Sequence, residues 1–139
     1  MRSSRILKAN GRLAVDTNAV IAYREGISAV CNLINRADII FLPSVVLGEL
    51  MYGVFNSTKL EKNEKDITKF ADNSVIIPID EAVAIRYARV RSDLKKMGRP
   101  IPENYIWISA ICLELNVPLM SEDGHFDNIR GLKVINWTK

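Results

Sequence analysis

Two hydrophobic patterns take turns along this chain: short unbroken apolar runs, and stripes that recur every third or fourth position. The runs predict buried strands and the stripes predict amphipathic helices. Arg12 to Asp16 is the first strand, followed by a short helix from Thr17 to Arg24. Ser28 is the expected cap of a second helix, with Val30, Leu33 and Ile34 on its inner face. Asp38 to Leu42 predicts a strand stopped by Pro43, and Ser44 then caps a helix reaching about Phe55.

Lys59 to Asp72 interleaves Lys and Glu at helical spacing, the pattern of a solvated helix. Val75 to Ile79 predicts a third strand, and Asp80 caps a long helix through about Met97, ended by Gly98. Pro100 and Pro102 open a further helix to about Asn116, with Pro102 suited to its first turn. Val117 to Met120 and Leu132 to Ile135 are the fourth and fifth strands. Such alternation predicts the α/β class, a three-layer α/β/α arrangement whose parallel sheet is covered on both faces. The chain reads as one domain over residues 12–139, preceded by a flexible basic arm over residues 1–11.

Composition fits this picture. At 139 residues, 48% hydrophobic and 25% charged, the chain suits one compact globular domain rather than a disordered one. No apolar run approaches the roughly 18–20 residues that span a bilayer. The first residues lack the apolar core and cleavage site of a secretory signal. Cys31 and Cys112 lie in apolar helical patterns without Cys-x-x-Cys spacing, so buried free thiols and a reducing, cytoplasmic setting are expected. A net charge of +3 tolerates a nucleic-acid partner without requiring one. Arg86, Arg89 and Lys96, with Arg91 and Arg99 less directly, read as a solvated helix face.

The chemistry lies in the carboxylates. Asp16 ends a strand and starts a helix, which puts charge at the C-terminal edge of a sheet, where ligands of open α/β folds bind. It also reads as a helix cap, and the two roles are compatible. Glu49 sits in a helix that is apolar nearly all round, where a carboxylate needs a partner. Asp123 follows the fourth strand onto the same edge and also reads as a turn residue before Gly124. Glu103, in the first turn after Pro102, is equally well explained by the helix dipole. Thr17, Asn18 and Ser121 are short polar groups able to orient the acids. His125 is the only histidine, so neither a zinc site nor a His-based triad is in view. An all-oxygen cluster of this kind suits Mg²⁺ or Mn²⁺ and the hydrolysis of a phosphodiester.

Four segments taken in order resemble those of PIN-domain ribonucleases, specifically the VapC-type toxins of toxin–antitoxin pairs. They are Val15-Asp16-Thr17-Asn18, Pro43 to Gly53, Gly98 to Asn104 with Trp107 to Ala110, and Ser121 to Phe126. The resemblance implies Mg²⁺- or Mn²⁺-dependent cleavage of RNA, commonly tRNA, together with homodimers and a neutralising antitoxin protein. It also implies that Asp16 and Asp123 ligate the metal and that Glu49 does so directly or through water. A groove near Met51, Tyr52 and Phe55 would accept the antitoxin, although core packing is expected for at least half of that cluster.

One position departs from the pattern. Such toxins usually carry an aspartate where this chain has Tyr105. Glu103 lies roughly 200° round the helix from it, so it is no simple substitute. Either Glu103 keeps a weaker metal site alive, or the chain has lost activity. The rival class is therefore a catalytically inactive RNA- or protein-binding module of the same fold. A phosphatase of the haloacid-dehalogenase type would want a second aspartate where Asn18 stands, and a receiver would have no use for Glu49.

Overall fold

The computed structural model describes residues 11–139, and residues 1–10, most of the expected arm, lie outside the described residues. Gly11 is already anchored, since its carbonyl accepts from the backbone of Asp38 and Ile39 at 2.7 and 2.9 Å. The strands are β1 (Arg12–Val15), β2 (Ile39–Pro43), β3 (Val75–Ile77), β4 (Leu119–Met120) and β5 (Val134–Ile135). The helices are α1 (Thr17–Arg24), α2 (Ser28–Arg36), α3 (Ser44–Phe55), α4 (Leu60–Asp72), α5 (Glu81–Lys96) and α6 (Glu103–Leu115). A 3₁₀ turn, Gly124–Asn128, was not expected from the hydrophobic pattern.

All five strands pair in parallel, in the order β3-β2-β1-β4-β5. Side chains of Leu13, Ala14 and Val15 alternate between the faces of β1, yet all three are buried. Both faces of the sheet are therefore covered at its centre, as the layered prediction requires. The chain builds the sheet outward from β1 in one direction, then returns to add β4 and β5 on the other side. Such a reversal opens a crevice at the C-terminal ends of the two central strands. Here those strands are β1 and β4, held in register by Ala14 against Leu119 and Val15 against Met120.

Helix ends follow local chemistry in part. Asp16 and Asp80 cap α1 and α5, accepting from Ala19 N at 2.8 Å and Val83 N at 2.9 Å. Ser28 and Ser44 do not cap; they are first residues of their helices, after Ile27 and Pro43, and neither helix has a side-chain cap bond. Pro43 ends β2 from within rather than stopping it from outside. Gly98, at φ 67°, takes the left-handed turn that follows α5, a conformation costly for residues with a Cβ.

α3 corrects another expectation. Only Val46, Leu50 and Val54 are buried, one seam at i, i+4 and i+8. Gly48, Tyr52, Gly53 and Phe55 face solvent, so the helix is apolar on its wet side as well. Met51 packs against the core, whereas Tyr52 and Phe55 remain 72% and 59% exposed, so less than half of this cluster serves packing. Cys112 is buried but Cys31 only partly so, and both are free. Among the described residues, no helix is long and apolar enough to cross a membrane.

Candidate functional site

The crevice between β1 and β4 holds the acids. Asp16 is the residue directly after β1, and its backbone N–H donates to Met120 O at 3.3 Å. That extends the β1–β4 ladder by one step and buries the carboxylate to 4% exposure. Ser121, fully buried after β4, hydrogen-bonds the Asp16 side chain and accepts from Asp123 N at 3.0 Å. One hydroxyl thus ties together the two residues that follow the two central strands.

Glu49 reaches the crevice from α3. Its Oε1 accepts from Thr17 Oγ1 at 3.0 Å and its Oε2 from Asn104 Nδ2 at 3.1 Å. Both donors are neutral. Asp123 is held differently: Oδ2 accepts from the Tyr105 hydroxyl at 2.6 Å, and Oδ1 accepts from His125 N at 2.9 Å. The His125 ring Nδ1 lies 2.7 Å from that same Oδ1. Tyr105 stacks on His125 with ring centroids 4.5 Å apart and sets its edge against Phe126 at 5.1 Å.

The electrostatics follow from burial. Desolvation pushes the Asp16 carboxyl from 3.8 up to about 6, against the hydrogen bonds of Ser121 and Ala19, with Asp123 and Glu122 adding repulsion. Burial also pushes Asp123 up, but the hydrogen bonds from Tyr105 and from the His125 backbone and ring outweigh it and hold the group below its usual range. The Tyr105 phenol is pushed up to about 12, first by its bond to Asp123, then by burial and by the charges of Asp123, Glu49 and Asp16. Asp16, Glu49 and Asp123 thus all oppose ionisation of the Tyr105 phenol.

Glu103 does not join them. Its Oε1 accepts from Arg91 Nη1 at 2.8 Å and from the Tyr87 hydroxyl at 2.7 Å. The expectation that it contributes to the acidic site is corrected: two residues before Tyr105 it faces another side of α6, where the Arg91 guanidinium captures it. Asn18 is exposed and makes no hydrogen bond to the acids among the described residues. Glu122 is exposed, as expected. Asn104 and His125 are the contributors that sequence reasoning missed. Asn104 stands within the third of the four segments and His125 within the fourth, so their places in those segments were the available signal.

The donor set suits a hard cation. It is all oxygen, and no Lys or Arg pairs with Asp16, Glu49 or Asp123 among the described residues. A carboxylate as buried as Asp16 with no cationic partner is costly when charged. Among the described residues, no three His, Cys, Asp or Glu side chains form a ready-made cage. Mg²⁺ is commonly bound through one or two carboxylates, with water completing its shell.

The family model for the PIN domain matches residues 13–132. Ribonuclease VapC2 of Rickettsia felis is 30% identical over 108 residues, covering 77% of this chain and 81% of that protein. The tRNA(fMet)-specific endonuclease VapC of Shigella flexneri is 26% identical over 98 residues, covering 70% of this chain and 74% of that one. The crystal structure of VapBC2 from Rickettsia felis, bound to a DNA fragment from its promoter, superposes at a TM-score of 0.83. Its identity is 26%, over 91% of this chain and 98% of that one.

Proposed function

The chain belongs to the PIN-domain family, and on that footing we propose that it is a VapC-type endoribonuclease toxin hydrolysing RNA phosphodiesters with Mg²⁺ or Mn²⁺. The observation that carries this reading is Asp16: buried, at the switch point, pushed up to about 6, and without a cationic partner among the described residues. Asp16 and Asp123 would hold the ion, and Glu49 would do so directly or through water. When bound, the ion neutralises charge on the phosphoryl oxygens and acidifies an attacking water.

The chain's own residues position and protonate. Thr17 and Asn104 fix both oxygens of Glu49, so the carboxylate faces the crevice ready to take a proton from water. Ser121 sets the spacing of Asp16 and Asp123. A cognate antitoxin neutralises the toxin by docking near Met51, Tyr52 and Phe55, two of which are exposed apolar side chains. The VapBC complex among the structural neighbours supports that partner, and the Shigella endonuclease supports tRNA as a substrate class. A homodimer working in the cytoplasm completes the proposal.

A second reading is favoured by one observation, the Tyr105–Asp123 hydrogen bond: a PIN-like RNA- or protein-binding module without catalysis. The decisive experiment is cleavage of total RNA with and without EDTA, run on the chain itself, Asp16→Asn and Tyr105→Asp. Cleavage by the chain that EDTA and Asp16→Asn abolish supports the nuclease. Cleavage by Tyr105→Asp alone identifies an impaired nuclease, and cleavage by none supports the binding module.

A further inference from the structure

We propose that the Tyr105 hydroxyl is a built-in competitor for the cation, occupying the Asp123 oxygen that the ion needs. This inference rests on the metal-dependent reading above and deepens it. At 2.6 Å the Tyr105–Asp123 contact is a short, charge-assisted O–H···O⁻ bond, the strong kind. The ring cannot drift away from it. One face stacks on His125, the edge meets Phe126, which is 1% exposed, and Tyr105 N is tied to Pro102 O at 3.2 Å. The charges of Asp123, Glu49 and Asp16 all act to keep the hydroxyl protonated.

A neutral phenol at that point does part of a cation's work, because it donates one hydrogen bond into a group of like charges. It contributes no positive charge, however, and a phenol raised above its ordinary pKa near 10 stays protonated at neutral pH and is a poor ligand. The hydroxyl therefore competes with the ion for the electron density of Asp123 Oδ2, and holds that oxygen toward itself. His125 already engages Oδ1 with both its N–H and its ring, so no oxygen of Asp123 is left without a donor. The consequence is a site that demands more metal than its carboxylates alone would.

Mn²⁺ binding measured by calorimetry tests this on the full chain, Tyr105→Phe, Tyr105→Asp and Asp16→Asn. Tyr105→Phe keeps the ring and its stacking but removes the competitor, so it binds Mn²⁺ about tenfold tighter than the parent. Tyr105→Asp binds at least as tightly as Tyr105→Phe, and Asp16→Asn loses binding. Mn²⁺ titration of the parent perturbs the tyrosine ultraviolet difference spectrum, and this component is absent in Tyr105→Phe. Binding by Tyr105→Phe that is equal to or weaker than the parent's, with Asp16→Asn still impaired, overturns the competitor role and leaves the metal site standing. No Mn²⁺ bound by the parent, Tyr105→Phe or Tyr105→Asp overturns the metal reading and this inference together.

Discussion

Thr17 and Glu49, 32 positions apart in the chain, are joined by a hydrogen bond of 3.0 Å from Oγ1 to Oε1. The bond links the start of α1 to the middle of α3, so the residue after Asp16 aims the carboxylate of a different helix. Groups that orient ligands in this way typically matter about 10- to 100-fold. Thr17→Val, which keeps the shape and removes the hydroxyl, is expected to slow RNA cleavage about tenfold. Single-turnover kinetics at saturating Mn²⁺ would check it, and an unchanged rate would leave Asn104 as the effective support of Glu49.

The buried Asp16 predicts a stability that depends on pH in an unusual direction. Its pKa is about 6 in the folded protein against an ordinary 3.8, so the folded state binds more protons between those values. Stability of the metal-free protein therefore falls as pH rises through that window and levels off above it, by ~3 kcal/mol at ~1.4 kcal/mol per pKa unit. Asp123 contributes the opposite slope: its lowered pKa adds stability above the ordinary carboxylate range that is lost as pH falls through its folded value. Denaturant unfolding in EDTA at several pH values measures both.

Asp16→Asn follows from the same cause. Asparagine caps helices as well as aspartate does, so the bond to Ala19 N survives while the buried charge is removed. The variant is expected to be more stable than the parent at neutral pH without metal, by ~2–3 kcal/mol, and to lose cleavage at least ~100-fold. A melting temperature that falls instead would mean that the carboxylate is already compensated.

Glu103 gives the contrasting case. Its ion pair with Arg91 is 61% exposed on the Glu side and 60% on the Arg side, so solvent screens it. Glu103→Gln is expected to change stability by less than ~1 kcal/mol and RNA cleavage by less than about twofold. Loss of cleavage comparable to that of Asp16→Asn would restore Glu103 to the site.

Residues at strand ends were legible because the sheet's topology fixes where they go. Asp16 and Asp123 follow short apolar runs, and any parallel arrangement brings such positions to one edge. The apolar pattern around Glu49 locates it only in part. The helix is indeed apolar all round, but Tyr52 and Phe55 are not buried, so hydropathy alone did not locate its core. Glu103 failed because its rotation about α6 and the pull of Arg91 are tertiary facts, invisible in spacing. Asn104 and His125 stayed hidden for a related reason: side chains that hydrogen-bond a carboxylate carry no periodic signature.

The solvent face of α3 presents two large aromatic rings to water. Tyr52 and Phe55 are i and i+3 on one helix, and Gly48 and Gly53 beside them leave the helix surface open, with nothing within 4 Å of where a Cβ would stand. Exposed aromatic side chains this large are hot-spot residues when they belong to an interface and nearly silent when they do not. Tyr52→Ala with Phe55→Ala is therefore expected to weaken antitoxin binding by ~2–4 kcal/mol while moving the unfolding free energy by less than ~1 kcal/mol. Isothermal titration with the cognate antitoxin and a denaturant curve of the double variant supply the two numbers. A large loss of stability with unchanged affinity would return these rings to the core, and an unchanged affinity with unchanged stability would move the antitoxin to another face.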